Sequence, residues 1–266
     1  MALTYIQKTV HPAPITLHES NGVAYFTFPL LEQTRMVRHA FSTRLGGASK
    51  GYFSTMNFSL TRGDNRDDVL ENYRKMARIL GTDVSKMVLS HQTHTTNIRL
   101  VTEADAGKGI WRERDYENID GLITNVPGLT LVTFFSDCVP LYFVDPVHCA
   151  IGLSHSGWRG TVGRIAARTF DAMLSLGAEA EHVYVQTGAS ICCDCFEVGE
   201  EVAQRFRDAF PDDNGTIVRG GYPRPHVDLK AAIRRTLVEA GADPLRIADT
   251  GICSRCGDFA LHDAMA

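Results

Sequence analysis

Three residues in the middle of the chain carry side chains that commonly bind zinc. They are His94, Cys138 and His155. Two imidazoles and one thiolate suit zinc, and three protein ligands leave a fourth coordination position open for water or substrate. The residue types therefore favour a catalytic metal site over a structural one, provided that the fold brings the three together.

Cys138 follows an apolar, β-branched run and begins a Cys-Val-Pro turn. The sequence thus predicts that Cys138 lies at the end of a buried strand, beside loops, where functional residues concentrate. A free cysteine taken alone is more often a small buried hydrophobic residue. The adjacent Asp137 favours a functional interpretation, because a carboxylate beside a buried strand needs a partner.

His155 is also predicted to end a strand, and a Ser-Gly-Trp-Arg-Gly turn and a helix follow it. A helix N-terminus favours anions such as phosphate. Arg159 in this turn is either a surface charge or a group that orients an anion through its planar guanidinium. A hydrogen-bonded loop histidine is the alternative interpretation of His155.

The third ligand is ambiguous from the residues alone. His91 and His94 are three positions apart, a spacing that would place both on one face of a helix. Their flanking segments are predicted to be extended, so the two side chains need not point together. The pattern leaves both histidines open as ligands.

The remaining cysteines offer a competing metal site. The chain has seven cysteines, an odd number that favours thiols or metal ligands over a disulfide framework. Cys192, Cys193 and Cys195 lie in one segment, and Cys253 and Cys256 lie near the end of the chain. These residues could hold a structural zinc ion. Their spacing matches no standard zinc finger, however, so buried thiols are the favoured interpretation.

Periodicity and turn residues predict a mixed α+β fold in a single domain over residues 1–266. Helices are expected over residues 66–80, 161–176, 200–210 and 229–240, and strands over 23–28, 87–89, 97–101, 129–135, 141–144, 150–153 and 182–186. The strands and helices alternate irregularly, which favours mixed sheets over a doubly wound fold.

Composition excludes several classes of protein. The chain has 266 residues, of which 44% are hydrophobic, enough for one large core. The formal charge is −4 and there is no long Lys/Arg run, so nucleic acid is not an expected partner. No apolar stretch approaches the roughly 20 residues that span a bilayer. The N-terminus lacks the pattern of a secretory signal, and a cytoplasmic protein is predicted.

Five motifs, taken in order, resemble the polyphenol oxidase/laccase-domain family. They are Asp-Gly-Leu-Ile-Thr at 120–124, Pro-Gly at 127–128, Ser-Asp-Cys-Val-Pro at 136–140, Asp-Pro at 145–146 and His-Ser-Gly-Trp-Arg-Gly at 155–160. The segments at 41–47 and 56–57 look like the family's N-terminal motif, and 195–199 resembles a later loop. Gln92-Thr93-His94 is similar to its Gln-Val-His segment, which selects His94 over His91.

Members of this family were first described as copper-dependent laccases and are now regarded as zinc-dependent purine nucleoside enzymes. The resemblance implies two mixed sheets packed between helical layers (α/β/β/α). It also implies a metal site of His94, Cys138 and His155 that binds zinc, with copper possible in its place. The implied substrates are a purine nucleoside and phosphate. The implied reactions are phosphorolysis of adenosine, inosine, guanosine and methylthioadenosine, and deamination of adenosine, by a monomer or homodimer.

Further residues are assigned roles by their position in the motifs. Asp137 is predicted to shuttle a proton or to orient a ligand imidazole, as carboxylates near metal sites often do. The predicted substrate contacts are Arg44, Asn57, Gln92 and Arg159, with Arg44 as the candidate for binding the anion.

Three other functions compete with this prediction. Copper-dependent oxidation of phenols is disfavoured, because multicopper oxidation uses many histidines and this chain offers one three-ligand set. Cys138 could instead be a nucleophile with His155 as its base. The site could also serve a non-catalytic or peptidoglycan-precursor editing role. That role is kept open because residues 258–263 replace the aromatic Ser-Tyr-Arg-Arg segment with which family members commonly close.

Overall fold

The structure is a computed structural model that describes residues 5–9 and 11–256. Within them the helices are α1 (Pro29–Glu32), α2 (Arg66–Leu80), α3 (Trp158–Val162), α4 (Ile165–Ser175), α5 (Glu200–Ala209) and α6 (Leu229–Glu239). The strands are β1 (Thr16–Ser20), β2 (Val23–Thr27), β3 (Phe41–Ser42), β4 (Met87–Leu89), β5 (Ile98–Leu100), β6 (Gly121–Thr124), β7 (Thr130–Val132), β8 (Val139–Asp145), β9 (Ala150–Ser156), β10 (Tyr184–Thr187), β11 (Val218–Arg219), β12 (His226–Val227) and β13 (Ile247–Asp249). The predicted α+β class with mixed sheets is confirmed. None of these helices is long and apolar enough to cross a membrane.

A six-stranded mixed sheet forms the centre of the molecule, in the order β13-β10-β8-β9-β6-β5. Its middle strands β8 and β9 pair antiparallel along their whole lengths. The β8 side chains are almost all buried, as continuous apolar runs predict. One face of the sheet packs against α4 and α6 through a core that includes Phe143, Phe170 and Leu237.

The parallel pair β4–β7 makes a second β layer over the other face of the sheet. Strand side chains alternate between faces, and β4 uses both of its faces. Met87 and Leu89 pack with Tyr73 of α2, whereas Val88 packs with Leu122 of β6. The resulting order is α4 and α6, the large sheet, the β4–β7 pair, and α2, which is an α/β/β/α arrangement.

Helix α2 shows how local sequence sets the boundaries of an element. The Asn65 side chain accepts hydrogen bonds from the backbone N–H groups of Asp67 and Asp68 at its start. Gly81 ends the helix in the left-handed conformation, with φ of 64°. The helix therefore spans the residues that the sequence predicts.

The helix predicted over 161–176 is wrong as a continuous element. It is divided into α3 and α4, because Gly163 ends α3 and Arg164 adopts a positive φ of 63°. A Cβ atom at Gly163 would lie 2.6 Å from Cγ2 of Thr96. The break thus lets the chain pass close to the loop that carries His94.

The strand predicted over 129–135 is also shorter in the structure, where β7 ends at Val132. The backbone N–H of Phe134 donates to Oε1 of Gln92 (2.8 Å), and Nε2 of Gln92 donates to the Phe134 carbonyl (2.6 Å). The Gln92 side chain therefore forms the hydrogen bonds that a neighbouring strand would otherwise form with the backbone of Phe134. The C-terminal segment at 258–263, which departs from the resembled family, lies outside the described residues.

Replacing Met173 of α4 with Ala should lower the free energy of unfolding by about 2–5 kcal/mol, because this side chain is fully buried against the sheet. Chemical denaturation measures the change. Val238→Ala on the exposed side of α6 is the control and should change stability by less than ~0.5 kcal/mol. Equal effects of the two substitutions would contradict the packing described here.

Candidate metal centre

The three predicted ligands meet in the structure. One donor atom from each of His94, Cys138 and His155 lies within 4.8 Å of the others. Sγ of Cys138 is 4.0 Å from Nε2 of His94. The two imidazole rings lie edge to face, with centroids 4.9 Å apart. Residues that are far apart in sequence thus form one cluster.

Strand register explains why Cys138 and His155 meet. In the antiparallel β8–β9 pair, Val139 lies opposite Ser156 and Pro140 lies opposite His155. The start of β8 is therefore beside the end of β9, and Cys138 immediately precedes β8. His155 belongs to the last part of β9 itself rather than to the turn after it.

His94 reaches the cluster from the loop between β4 and β5. Its backbone is left-handed, with φ of 64°, a conformation that few residues other than glycine adopt. His91, the other candidate ligand, lies elsewhere: its backbone pairs with Ile119, and its Nδ1 accepts a hydrogen bond from the N–H of Asn118 (3.3 Å). The structure therefore places His94, and not His91, with Cys138 and His155.

A fully buried carboxylate, Asp120, holds the His94 loop in this conformation. It accepts backbone hydrogen bonds from Thr93 (3.0 Å), His94 (3.1 Å) and Thr95 (2.9 Å), and one from the Thr95 hydroxyl (2.9 Å). Three successive amides that point at one anion fix the path of the loop. The left-handed residue is thereby stabilised at the position of the ligand.

The same carboxylate orients the second histidine. Nδ1 of His155 donates to Oδ1 of Asp120 at 2.8 Å, and the His155 backbone N–H donates to the Asp120 carbonyl at 2.8 Å. A ligand imidazole held in this way keeps its Nε2 lone pair for a metal. Burial raises the pKa of the Asp120 carboxyl, but the hydrogen bonds from His155 and the loop amides outweigh burial and hold the pKa below its ordinary value.

Gly157 leaves space for an ion. A Cβ atom at this position would lie 2.8 Å from Cδ2 of His94 and 3.0 Å from Sγ of Cys138. Any side chain larger than hydrogen would therefore enter the space between two of the three ligands. The requirement for glycine here comes from this close approach and not from an unusual φ.

The electrostatics of the cluster suit a bound cation. Burial, together with the charges of Asp137 and Asp120, raises the pKa of the Cys138 thiol to about 11. Burial lowers the pKa of His94 below its ordinary value, and the neighbouring His155 and Arg159 lower it further against the opposing effect of Asp120, which favours the neutral imidazole. A neutral imidazole is ready to bind a metal, whereas the thiol needs a cation to become a thiolate at neutral pH.

The geometry fits zinc. Tetrahedral zinc with ordinary bond lengths separates a sulfur and a nitrogen ligand by ~3.5 Å. The Cys138 sulfur and the His94 nitrogen are 4.0 Å apart, so a small movement of the exposed His94 side chain would bring them to this separation. Nitrogen and sulfur donors also bind copper, so the donor set alone does not select between the two metals.

Asp137 lies beside Cys138 but does not orient an imidazole. Its Oδ1 accepts a hydrogen bond from the Ser254 hydroxyl (2.6 Å), and its carbonyl accepts one from the N–H of Ile191 (2.9 Å). The orienting role that the sequence assigned to Asp137 belongs to Asp120. The sequence contained an indication of this role for Asp120, because Asp120, like Asp137, is a carboxylate next to a buried strand.

Two of the four predicted substrate contacts, Gln92 and Asn57, form hydrogen bonds within the protein. Gln92 pairs with the Phe134 backbone as described above. The amide of Asn57 donates to Asp64 (2.8 Å), and its oxygen accepts from the N–H of Ser59 (3.0 Å). These bonds show that Gln92 and Asn57 organise loops, and their contact with substrate stays a prediction.

The two predicted cationic contacts also differ. Arg159 is exposed, stacks on the Trp158 ring at 4.3 Å and is close enough for its charge to lower the pKa of His94. The Arg44 guanidinium donates to the carbonyl of Ser54. Of these two arginines, Arg159 is the one whose charge acts on a metal ligand.

An apolar cavity of about 190 Å³ lies between the large sheet and the β4–β7 pair. Phe135 lines it, and the Phe135 ring is 5.9 Å from the His155 ring. None of the three ligands lines the cavity. It is a separate space, next to the metal site but not part of it.

Residues 38–261 of the chain match the model of a protein family that is described as multi-copper polyphenol oxidoreductase laccase. The chain belongs to this family. Two relatives are similar to this chain over most of their length. Adenosine deaminase RL5, from an unknown prokaryotic organism, is 36% identical over 228 residues, which cover 85% of this chain and 87% of the relative. A purine nucleoside phosphorylase of Deinococcus radiodurans is 38% identical over 232 residues, which cover 87% and 85%.

Solved structures in this laccase family share the fold. YlmD from Geobacillus stearothermophilus superposes with a TM-score of 0.80 at 32% identity, covering 90% of this chain and 88% of that one. The protein YfiH of Bacillus licheniformis superposes with a TM-score of 0.82 at 30% identity, covering 90% of each chain. The family resemblance expected from the motifs is confirmed.

Replacing Gly157 with Ala should prevent metal binding at the three ligands, since the new methyl group would contact both His94 and Cys138. The zinc content per chain after dialysis against zinc measures the effect and should fall by one ion relative to the unsubstituted chain. Gly220→Ala is the matched control, because nothing lies within 4 Å of a Cβ atom there. An unchanged number of zinc ions per chain in the Gly157 variant would contradict the geometry of the site.

Replacing Asp120 with Asn should weaken zinc binding by ~10–100-fold, a typical cost of losing a carboxylate that orients a ligand histidine. Competition with a chelator of known affinity gives the dissociation constant. Asp137→Asn serves as the comparison, since Asp137 bonds to Ser254 and not to an imidazole. A larger loss in the Asp137 variant would reverse the roles of the two carboxylates.

Proposed function

We propose that this chain is a zinc-dependent enzyme of purine nucleosides, which cleaves them with phosphate and also deaminates adenosine. The observation that carries the proposal is the convergence of His94, Cys138 and His155 around the space beside Gly157. The relatives named purine nucleoside phosphorylase and adenosine deaminase support the class of substrate. Adenosine, inosine, guanosine and methylthioadenosine are the proposed substrates of phosphorolysis.

A zinc ion with three protein ligands supplies Lewis-acid chemistry at its open fourth position. The chain's own residues prepare that position. Asp120 holds the proton on Nδ1 of His155, so that Nε2 faces the cluster as a lone-pair donor. His94 is the exposed member of the three and His155 the buried one, so substrate reaches the site from the side of His94.

Charged groups at the rim match a substrate pair that includes phosphate. The Arg159 guanidinium lies near His94 and is held over the Trp158 ring. A planar guanidinium binds phosphate oxygens in pairs, so we assign the anion to Arg159, with Arg44 as a second predicted contact. Asp137, whose charge acts on Cys138, is the proposed group for proton transfer to or from the nucleoside.

The structure gives less support to two competing functions, a cysteine nucleophile and oxidation at several coppers. A nucleophilic cysteine needs a lowered pKa, whereas burial and two carboxylates raise that of Cys138. The candidate base His155 already uses Nδ1 to bond Asp120. Oxidation at several coppers needs several clusters of histidine. Among the described residues the other candidate clusters are the four cysteines and two groups of carboxylates and histidines that share His182.

Incubating the zinc-loaded chain with adenosine and phosphate, followed by chromatography, tests the proposal. We expect adenine and ribose 1-phosphate as the products of phosphorolysis and inosine as the product of deamination. Cys138→Ala should reduce turnover to background and remove the metal from this site. Cys149→Ala, at an exposed free cysteine, is the control and should leave both unchanged.

Full turnover by the Cys138 variant would overturn the metal-dependent mechanism. Copper-loaded protein that oxidises a phenol while the zinc form leaves nucleosides intact would favour the oxidase. Inosine as the sole product even when phosphate is present, with no free base or ribose 1-phosphate, would limit the function to deamination.

A further inference from the structure

Four cysteines converge at a place that the proposed reaction does not use. The sulfur atoms of Cys192, Cys195, Cys253 and Cys256 all lie within 4.8 Å of one another. Cys256 is 3.2 Å from Cys195 and 3.8 Å from Cys192, sulfur to sulfur. Tetrahedral zinc with four Zn–S bonds of ~2.3 Å separates its sulfurs by ~3.8 Å, so the observed cluster has the right size for one ion.

The chain supplies these residues as two Cys-x-x-Cys pairs. The first is Cys192-x-x-Cys195, which closes in a single turn where the N–H of Cys195 donates to the Cys192 carbonyl (3.1 Å). The second is Cys253-x-x-Cys256. Each pair has the spacing that zinc sites use most often. The sequence alone indicated the second pair as possible zinc ligands but favoured buried thiols, because Cys193 inside the first pair obscures its spacing.

Backbone contacts join the two pairs. The N–H of Ser190 donates to the Ile252 carbonyl (3.1 Å), and the N–H of Ser254 donates to the Ser190 carbonyl (3.1 Å). These bonds place the segment before Cys192 alongside the segment that carries Cys253. The fold therefore brings the pairs together without needing any bond between the sulfurs.

Amide groups point at one of the sulfurs. Sγ of Cys253 accepts backbone N–H groups from Cys192 (3.3 Å), Arg255 (3.4 Å) and Cys256 (3.3 Å). A neutral thiol is a weak acceptor, whereas hydrogen bonds to an ionised acceptor are roughly twice as strong as neutral ones. Three donors around one buried sulfur thus match a thiolate, the form in which cysteine binds a metal.

Cations border the cluster. The ammonium of Lys8 pairs with Asp194 inside the first Cys-x-x-Cys turn (3.8 Å). The guanidinium of Arg255, inside the second turn, donates to the Cys195 carbonyl (3.4 Å). Four thiolates around a divalent ion carry a net negative charge, and these two side chains lie where they would offset it.

We propose that Cys192, Cys195, Cys253 and Cys256 bind a structural zinc ion as four thiolates. Four protein ligands close the coordination sphere, so this site holds the chain together and does not catalyse. All four cysteines are free thiols in the structure, and none is joined to another by a disulfide.

The proposed ion also supports the three-ligand centre. Ser254 lies between Cys253 and Cys256 and donates to the Asp137 side chain (2.6 Å). Ile191, which precedes Cys192, donates to the Asp137 carbonyl (2.9 Å). Both segments bound by the four cysteines therefore hold the residue next to Cys138, and the second ion fixes one wall of the candidate active site.

Zinc analysis of the full chain in the Cys138→Ala background tests the proposal independently of the three-ligand centre. After purification under reducing conditions with zinc, the Cys138 variant should retain one zinc per chain. Adding Cys195→Ser and Cys256→Ser should remove that zinc. Adding Cys193→Ser instead is the matched control, because this cysteine shares the loop but is outside the cluster, and it should leave the zinc in place.

A Cys138 variant that holds no zinc would overturn the proposal, as would zinc that survives loss of Cys195 and Cys256. A Cys195–Cys256 disulfide found by peptide mapping of the reduced preparation, or iron in place of zinc, would also overturn it.

A spectrum of the cobalt-substituted Cys138 variant needs no change to the cluster and so does not depend on whether the serine variants fold. Cobalt held by four thiolates in a tetrahedron gives strong sulfur-to-metal charge-transfer and visible bands. We expect this spectrum at one cobalt per chain. The weak bands of octahedral cobalt would contradict the four-thiolate site.

Discussion

The carboxylate of Asp120 is the group on which the candidate active site depends. It is fully buried, and a buried charge is costly unless hydrogen bonds satisfy it. Here Oδ2 accepts from the loop at Thr93 and Thr95, while Oδ1 accepts from the His94 amide and the His155 ring. Each such bond to a charged acceptor contributes roughly 1.5–3 kcal/mol. One side chain therefore fixes the backbone of one metal ligand and the ring of another.

The rest of the fold delivers the third ligand and the space between them. The register of β8 on β9 sets Cys138 next to His155, and this register is enforced because both strands are buried in the central sheet. The turn after β9 passes so close to His94 and Cys138 that only glycine fits at position 157. The metal centre is thus a consequence of strand pairing, one loop and one turn, with Asp120 joining them.

The sequence predicted those parts of the structure that depend on local chemistry. Asn65 and Gly81 mark the ends of α2, and the apolar runs of β8 and β9 mark the buried strands, so these elements could be placed from residue patterns. The motifs also selected the three ligands. The division between α3 and α4 escaped prediction, because it depends on the close contact of Gly163 with Thr96, a residue on a distant loop.

Contacts between loops account for the other differences. Gln92 pairs with the backbone of Phe134, and the orienting carboxylate is Asp120 rather than Asp137. Neither contact leaves a trace in periodicity, since both join residues that are remote in sequence. The two Cys-x-x-Cys pairs were visible as spacing, but their convergence required the pairing of Ser190 with the segment around Cys253.

Anomalous diffraction at the zinc absorption edge, from crystals of the zinc-loaded chain, tests the central claim most directly. The account predicts a zinc peak ~2.0–2.3 Å from Nε2 of His94, Sγ of Cys138 and Nε2 of His155, with Asp120 still bonded to Nδ1 of His155. A zinc-loaded crystal with no peak among these three atoms, or with the His155 ring turned away from Asp120, would contradict it.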